Sequence, residues 1–590
     1  MRTIVLLVLC TFFFSASAAD KPLTTVAERS GFTKTGRYDE VVALCTQFAS
    51  RFPRSVKCID FGASPEGRPM KALVVSTSGA LDAKTARSRK VPVVLIQGGI
   101  HAGEIDGKDA GFLALREVLE GKAGDRLLDN LVWVFVPVFS VDGHERFGAW
   151  NRPNQRGPEE MGWRTTAQGY NLNRDYLKAD APEMQAMLRL VGEWDPLLEV
   201  DLHVTDGAKF EHDISIQVEP VHAGDETLRK AGRQWRDAVI GDLAAQGSLP
   251  LPYYPSFVVE DDPTSGFIDS VPPPRFSHGY FWLRNRIGML VETHSWKPYP
   301  VRVRITRNTI LSVLQQAHLH GRQWRDIAEQ ADRRAAAIAA TPVPLVFAAG
   351  KESRLVDFRG YAYTRTHSEI SGALMTRYDE TRPQVWKIPL RDNVQPSLSI
   401  VAPAGGYIVP AAHAEWVGRK LELHGIAFSR MGAAPGANVE TFRATEATPA
   451  AQSLEGRQRM SVKGEWKKET RDIGAGALFV PIGQPRSRLA MSILEPLAPD
   501  SLVGWGEFNN AFERKEYMED YVAEEVAREM LGKDPALKAR FEQRLKEDPT
   551  FAKDRAARLD FFYRLHSAWD DRYNLYPVMR TDITPTPSSP

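Results

Sequence analysis

The sequence predicts an α/β domain with a mixed, mostly parallel sheet flanked by helices, then a smaller α+β or β-rich module and a helical tail. Three observations carry this. "LVWVFVPVF" is apolar on both alternating faces, and "VPVVLIQ", "PLLEVDL" and "IGMLVETH" are similar, as in strands buried on both sides. Segments with helical spacing lie between them, the alternation of an α/β domain. After "TPVP" the character changes to short strand candidates between Pro/Gly-rich turns.

The elements follow in order. "GRYDEVVALCTQFASRFP" has helical spacing at Val41, Leu44 and Phe48 and stops before Pro53. Strand-like "KCIDFG", "MKALVVS" and "VPVVLIQ" come next. "DGKDAGFLALREVLEG" then repeats Phe112, Leu115 and Leu119 on one face, with Asp106 as its N-cap and Gly121 as its stop. A long helical pattern over 309–340 closes the first domain, placed at 20–340. Strand candidates such as "GALFVPI" and "RLAMSILEPL" fill an accessory module at 341–510. Met518, Val522, Val526 and Met530 mark a helical tail at 511–580, and "TPTPSSP" reads as disorder in the last segment, 581–590.

Composition excludes several classes. The 590 residues carry a formal net charge of +1 and no dense Lys/Arg block, so nothing marks a nucleic-acid or anionic-lipid surface. Arg2, the apolar run 4–14 and "SASAAD" have the order of a signal peptide, residues 1–19, and no later stretch approaches a membrane span. The expectation is an exported protein, periplasmic or secreted. Cys10 sits among bulky residues and does not read as a lipid site. Cys45 and Cys58 remain, close in sequence, as a local disulfide or two buried thiols.

The chemistry centres on "GGIHAGEIDG", directly after a strand. His101 and Glu104 have the spacing of two metal ligands from one loop, although alone such a pair is explained by a solvated turn. A catalytic zinc needs a third protein ligand and an open position. His203 ends the buried strand "LLEVDLH" and would project into the same crevice beyond the strand ends. Glu292 ends another apolar strand, where an unpaired carboxylate is costly unless it faces a metal-bound water whose proton it can take.

An ordered set of motifs then resembles the zinc carboxypeptidase family that includes the pancreatic carboxypeptidases. It runs through "FGASPEGRPMKALVVS", "GGIHAGE", "VPVFSVDGHE", "GWRTTAQGYNLNRDY", "LEVDLHVTD" and "GMLVETHS" and covers about the first half of the chain. The resemblance implies one Zn2+ per chain on His101, Glu104 and His203, with Glu292 as general base and acid. It implies Asn173 and Arg174 as the anchor for a substrate's terminal carboxylate, a role that suits a planar guanidinium fork. Arg164 falls where the family steadies the oxyanion, with Arg152 and Arg156 as competitors in the same loop. Tyr280 is the candidate substrate-binding tyrosine, ahead of Tyr253 and Tyr254. Arg275 and His294 lie near the site in sequence, and His294 reads as packing or support.

The implied function is a metallocarboxypeptidase acting near the C-terminus of exported or external peptides, its partner a peptide or small amide with a free carboxylate. One departure stands out: the family often has an aspartate where this chain has Asn171, and an amide raises a ligand imidazole's basicity less. Two alternatives keep the residues and change the outcome. One is a zinc amidase or deacylase of the same fold acting on cell-wall peptides or N-acyl amino acids. The other is an inactive binding module.

Overall fold

The structure, a computed structural model, describes residues 22–124 and 126–583. The expected signal peptide and "TPTPSSP" lie outside these residues. The chain forms two compact units: residues 1–331 with 347–397, and residues 332–346 with 398–590. Among the described residues no helix is long and apolar enough to cross a membrane.

The first unit is built on an eight-stranded sheet. Its strands are β1 (Val56–Ala63), β2 (Pro69–Val75), β3 (Val93–Gly98), β4 (Val132–Val136), β5 (Leu198–Val204), β6 (Ile214–Glu219) and β7 (Pro250–Leu251), while β8 (Phe267–Ile268) stands outside it and β9 (Ile287–Thr293) completes it. The order is β1-β2-β4-β3-β5-β9-β6-β7. The four central strands β4, β3, β5 and β9 run parallel, and β2 and β6 flank them antiparallel. Every residue of those central strands is buried, which accounts for their unbroken apolar runs. All four send their carboxyl ends to one edge, where the chemistry collects.

Several helices differ instructively from the sequence reading. Tyr38–Arg51 buries Val41, Leu44 and Phe48 as expected. It is joined to β1 by a Cys45–Cys58 disulfide, with a Cα separation of 5.4 Å. In Asp106–Leu119 the N-cap is Ile105, not Asp106. The Asp106 carboxylate instead receives Arg302 Nε and Thr293 Oγ1, both at 2.9 Å, because a buried acid gains more from a buried guanidinium than from a helix end. The long helix spans Tyr299–Ala335, beginning about ten residues before the expected start. Pro300 is tolerated there because the first turn needs no donor from it.

The change in composition near 341 does not coincide with the edge of the first unit. A long hairpin, Arg354–His367 with Leu374–Arg391, belongs to that unit and pairs with β8. Its Phe358, Trp386, Ile388 and Leu390 pack on Phe210, Leu251, Tyr253 and Phe267. An amphipathic hairpin must cover its apolar face, and the loops beyond β5 and β6 supply the partner surface.

The second unit holds a six-stranded antiparallel sheet over a core that includes Ile408, Val439, Ile473, Phe479 and Met579. Four helices between Asp520 and Tyr563 gather around Phe541, Phe551 and Phe562. The tail is not purely helical. Leu575–Thr581 returns as a strand into the sheet, beside Gly406–Val409 and Ala434–Pro449, so Thr581 belongs to a strand and not to a disordered end. "RLAMSILEPL" is also not a strand: Ser487–Leu494 is a helix buried along its length. Its Leu, Ala and Met favour helix, and a short run that is apolar all round has no periodicity to separate the two states.

Candidate metal centre

His101 and Glu104 lie in the turn that follows β3, closed by a Glu104 N–H to His101 carbonyl bond of 2.9 Å. His203 is the penultimate residue of β5, and Glu292 holds the register position beside it on β9. The sheet therefore brings together residues separated by almost two hundred positions. One donor atom each from His101, Glu104 and His203 lies within 4.8 Å of the others. All three side chains are buried.

The orientation of the rings is well defined. Glu104 Oε1 lies 3.0 Å from His101 Nδ1, and Oε2 lies 3.0 Å from His203 Nδ1 while accepting the Val204 N–H at 3.0 Å. Both imidazoles thus turn Nδ1 toward the same carboxylate. Two nitrogens and one carboxylate oxygen converging in a buried pocket suit a zinc ion with an open fourth position. Burial, with His203 and Arg164 as further positive neighbours, depresses the His101 pKa to about 4 against the pull of Glu104, so its ring is neutral and a lone pair is available. Burial would raise Glu104, but Arg152 first and then the histidines hold it well below the usual carboxylate range.

Arg152 reaches Glu104 Oε1 at 3.0 Å, with 10% of its side chain exposed; Arg164 approaches the same oxygen at 3.5 Å with 38% exposed. Gly103 makes the nearer contact possible. A Cβ there would meet Arg152 Cγ at 2.6 Å and the Gly162 carbonyl at 2.7 Å. The small residue between the two loop ligands was the available sequence signal for a long side chain passing over it. Arg156 is turned elsewhere, to Glu380 at 2.6 Å on the hairpin. Arg302 fixes this loop from beneath, donating to the carbonyls of Arg156 and Gly157 at 2.8 Å each.

Glu292 is 7% exposed, and its Oε2 has no hydrogen-bond partner among the described residues. Burial pushes its pKa up to about 8; Glu104 and Asp206 add to the effect and His203 opposes it. Asn171 accepts from His101 Nε2 at 3.0 Å and from the Asn173 N–H at 3.1 Å. Asn173 is buried with Oδ1 unpartnered among the described residues, and Arg174 lies over the Phe276 ring at 4.3 Å.

One tyrosine departs from the sequence reading. Tyr280 is fully buried, 5.5 Å from Tyr176 between ring centroids, and its hydroxyl takes Arg284 Nη1 at 3.2 Å. It offers no surface to a substrate, because its helix packs directly against β9. Tyr254 is half-buried; burial raises its phenol pKa well above the ordinary value, with Glu292, Asp206 and Glu104 adding to the effect and Arg164 opposing it. His294 stacks on Phe210 at 3.9 Å and meets Thr205 Oγ1 at 3.2 Å, a packing position as expected.

Residues 41–209 match the zinc carboxypeptidase family. That segment contains the three donors and both arginines, and it ends before Glu292, which the sheet adds. Curated relatives include carboxypeptidase B of Helicoverpa zea, 28% identical over 155 residues, covering 24% of this chain and 35% of that protein. Carboxypeptidase B of Astacus astacus is 28% identical over 140 residues, covering 24% and 43%. An inactive metallocarboxypeptidase of Schizosaccharomyces pombe is 32% identical over 101 residues, covering 16% and 20%. The chain thus spans less than half the length of these relatives. Carboxypeptidase A from Helicoverpa armigera aligns in structure with a TM-score of 0.36 at 17% identity, over 50% of this chain and 75% of that one.

Proposed function

We propose that the centre on the zinc carboxypeptidase segment is that of a zinc-dependent metallocarboxypeptidase, removing residues from the C-terminus of exported or external peptides. The observation that carries this reading is Glu292. A buried carboxylate with an unpartnered oxygen sits in strand register with His203, one of three convergent donors.

His101, Glu104 and His203 would hold the ion. Zinc bound there supplies Lewis acidity, polarising a carbonyl and acidifying water. Glu292 takes the proton of the attacking water and returns it to the leaving amine, a role that a raised carboxylate pKa suits. Arg152 and Arg164 put positive charge beside the Glu104 carboxylate, where an oxyanion would develop. Asn173 and Arg174 supply amide and guanidinium donors for a terminal carboxylate, which fixes the bond that lies over the centre. Tyr254, whose phenol has Glu292, Glu104 and Arg164 among its charged neighbours, is the remaining candidate for the substrate-binding tyrosine. The Cys45–Cys58 disulfide supports an oxidising, extracytoplasmic compartment.

The test is mass spectrometry of synthetic peptide digests, paired as free acids and C-terminal amides, with and without chelator. The reading expects shortening from the C-terminus of the free acids alone, lost with chelator and restored by zinc. Equal cleavage of the amides, or shortening from the other end, would overturn it.

A further inference from the structure

Each candidate ligand imidazole has an outward nitrogen, and the two are held by different groups. On His101, Nε2 meets Asn171 Oδ1 at 3.0 Å. The Asn173 N–H also donates to that oxygen, so it is an acceptor and His101 must donate from Nε2, leaving the Nδ1 lone pair for a metal. On His203, Nε2 lies 3.0 Å from Asp201 Oδ2. That approach is close but not aligned as a hydrogen bond. Asp201 and His203 are two apart on β5, so strand alternation puts them on one face, and both are buried.

Neither Asp201 oxygen has a hydrogen-bond partner among the described residues. A carboxylate fully removed from water costs several kcal/mol unless a cation or donor meets it. His203 is where that charge is met, its Nε2 lying 3.0 Å from Asp201 Oδ2.

We propose that Asp201 is the positioning residue of the metal centre. It fixes His203 with Nε2 protonated and Nδ1 aimed at the ion, and so supplies from β5 the carboxylate–imidazole support that Asn171 gives His101 only as an amide. The proposal rests on the metal-binding reading above. It makes the two histidines unequal: His203 is the more basic ligand and contributes more to retention of the ion.

The experiment measures zinc affinity of the purified, metal-stripped full chain by competition with a chromophoric chelator, alongside the thermal midpoint of the metal-free form. The variants are Asp201→Asn, Asn171→Asp and the two combined. The proposal expects Asp201→Asn to weaken zinc by about 10–100-fold without lowering the metal-free midpoint. It also expects Asn171→Asp in that background to recover part of the loss, since a carboxylate then supports the other ring. Zinc binding in Asp201→Asn within twofold of wild type overturns the proposal and leaves the metal site standing; a wild type that fails to bind zinc takes down both.

A second measurement needs no variant. In 15N-histidine NMR of the zinc-loaded wild type, His203 should carry its proton on Nε2, with the N–H resonance further downfield than that of His101 because its acceptor is charged. A His203 protonated on Nδ1 contradicts the proposal even if Asp201→Asn does not fold.

Discussion

Two buried glutamates, one in each unit, are treated in opposite ways. Glu495 in the second unit is fully enclosed and satisfied. Tyr407 OH reaches it at 2.6 Å, Arg580 Nε at 2.9 Å and Trp466 Nε1 at 3.3 Å. Glu292 in the first unit is nearly as buried and keeps one oxygen without a partner. Burial raises the pKa of both, yet only Glu495 has a guanidinium and two neutral donors to offset the cost. A carboxylate whose every contact is made holds a fold together. One left open beside a candidate metal ligand, as Glu292 is beside His203, marks a candidate site.

The largest effect that would break this contrast lies at Glu292. Glu292→Gln should lower peptide hydrolysis by about 10²–10⁴-fold, the range for loss of a general base, while the thermal midpoint of the metal-free protein does not fall. Unchanged cleavage would remove Glu292 from the chemistry. Glu495→Ala should do the reverse in its own unit, leaving Arg580 buried without its carboxylate and costing about 3–5 kcal/mol in urea unfolding. A loss below about 1 kcal/mol would mean that the network is not what holds the sheet.

Glu183 sharpens the comparison from a third side. It lies in the first turn of the helix Pro182–Trp194, fully buried, with neither oxygen partnered among the described residues. Burial, helped by Asp142 and Asp175, raises its pKa to about 7. The folded state then binds more protons than the unfolded state between about pH 4.5 and 7, so stability is present below that window and falls as pH rises through it. Glu183→Gln should match wild type at pH 4 and exceed it by about 1–3 kcal/mol at pH 8. Parallel stability curves for the two proteins would count against that burial cost. Lack of partners is therefore not sufficient for a site; Glu292 differs in sharing register with His203.

Much of this was legible from sequence because strands reveal themselves by unbroken apolar runs. Polar residues at the ends of such runs, as His203 and Glu292 are, are expensive without a purpose. The hairpin over 354–391 was not assigned to the first unit, because its partner surface, Phe210, Leu251, Tyr253 and Phe267, lies far upstream in sequence. The strand 575–581 was hidden behind four helices for a similar reason. Asp201 was overlooked within "LEVDLH" because alternation predicts which face it takes, not which atom it meets. Tyr280 ranked first among the tyrosines since neither spacing nor composition marks one that is packed in a core.

The central claim is that two imidazoles and one carboxylate, turned toward each other at two neighbouring strand ends, share one zinc. Zinc-edge X-ray absorption of the purified protein at one equivalent of metal tests it most directly. The account predicts two imidazole nitrogens at about 2.0–2.1 Å and oxygen ligands at about 2.0–2.2 Å, with the imidazole signal reduced in both His101→Ala and His203→Ala. A zinc shell that is unchanged in either variant, or one made of oxygen alone, would contradict it.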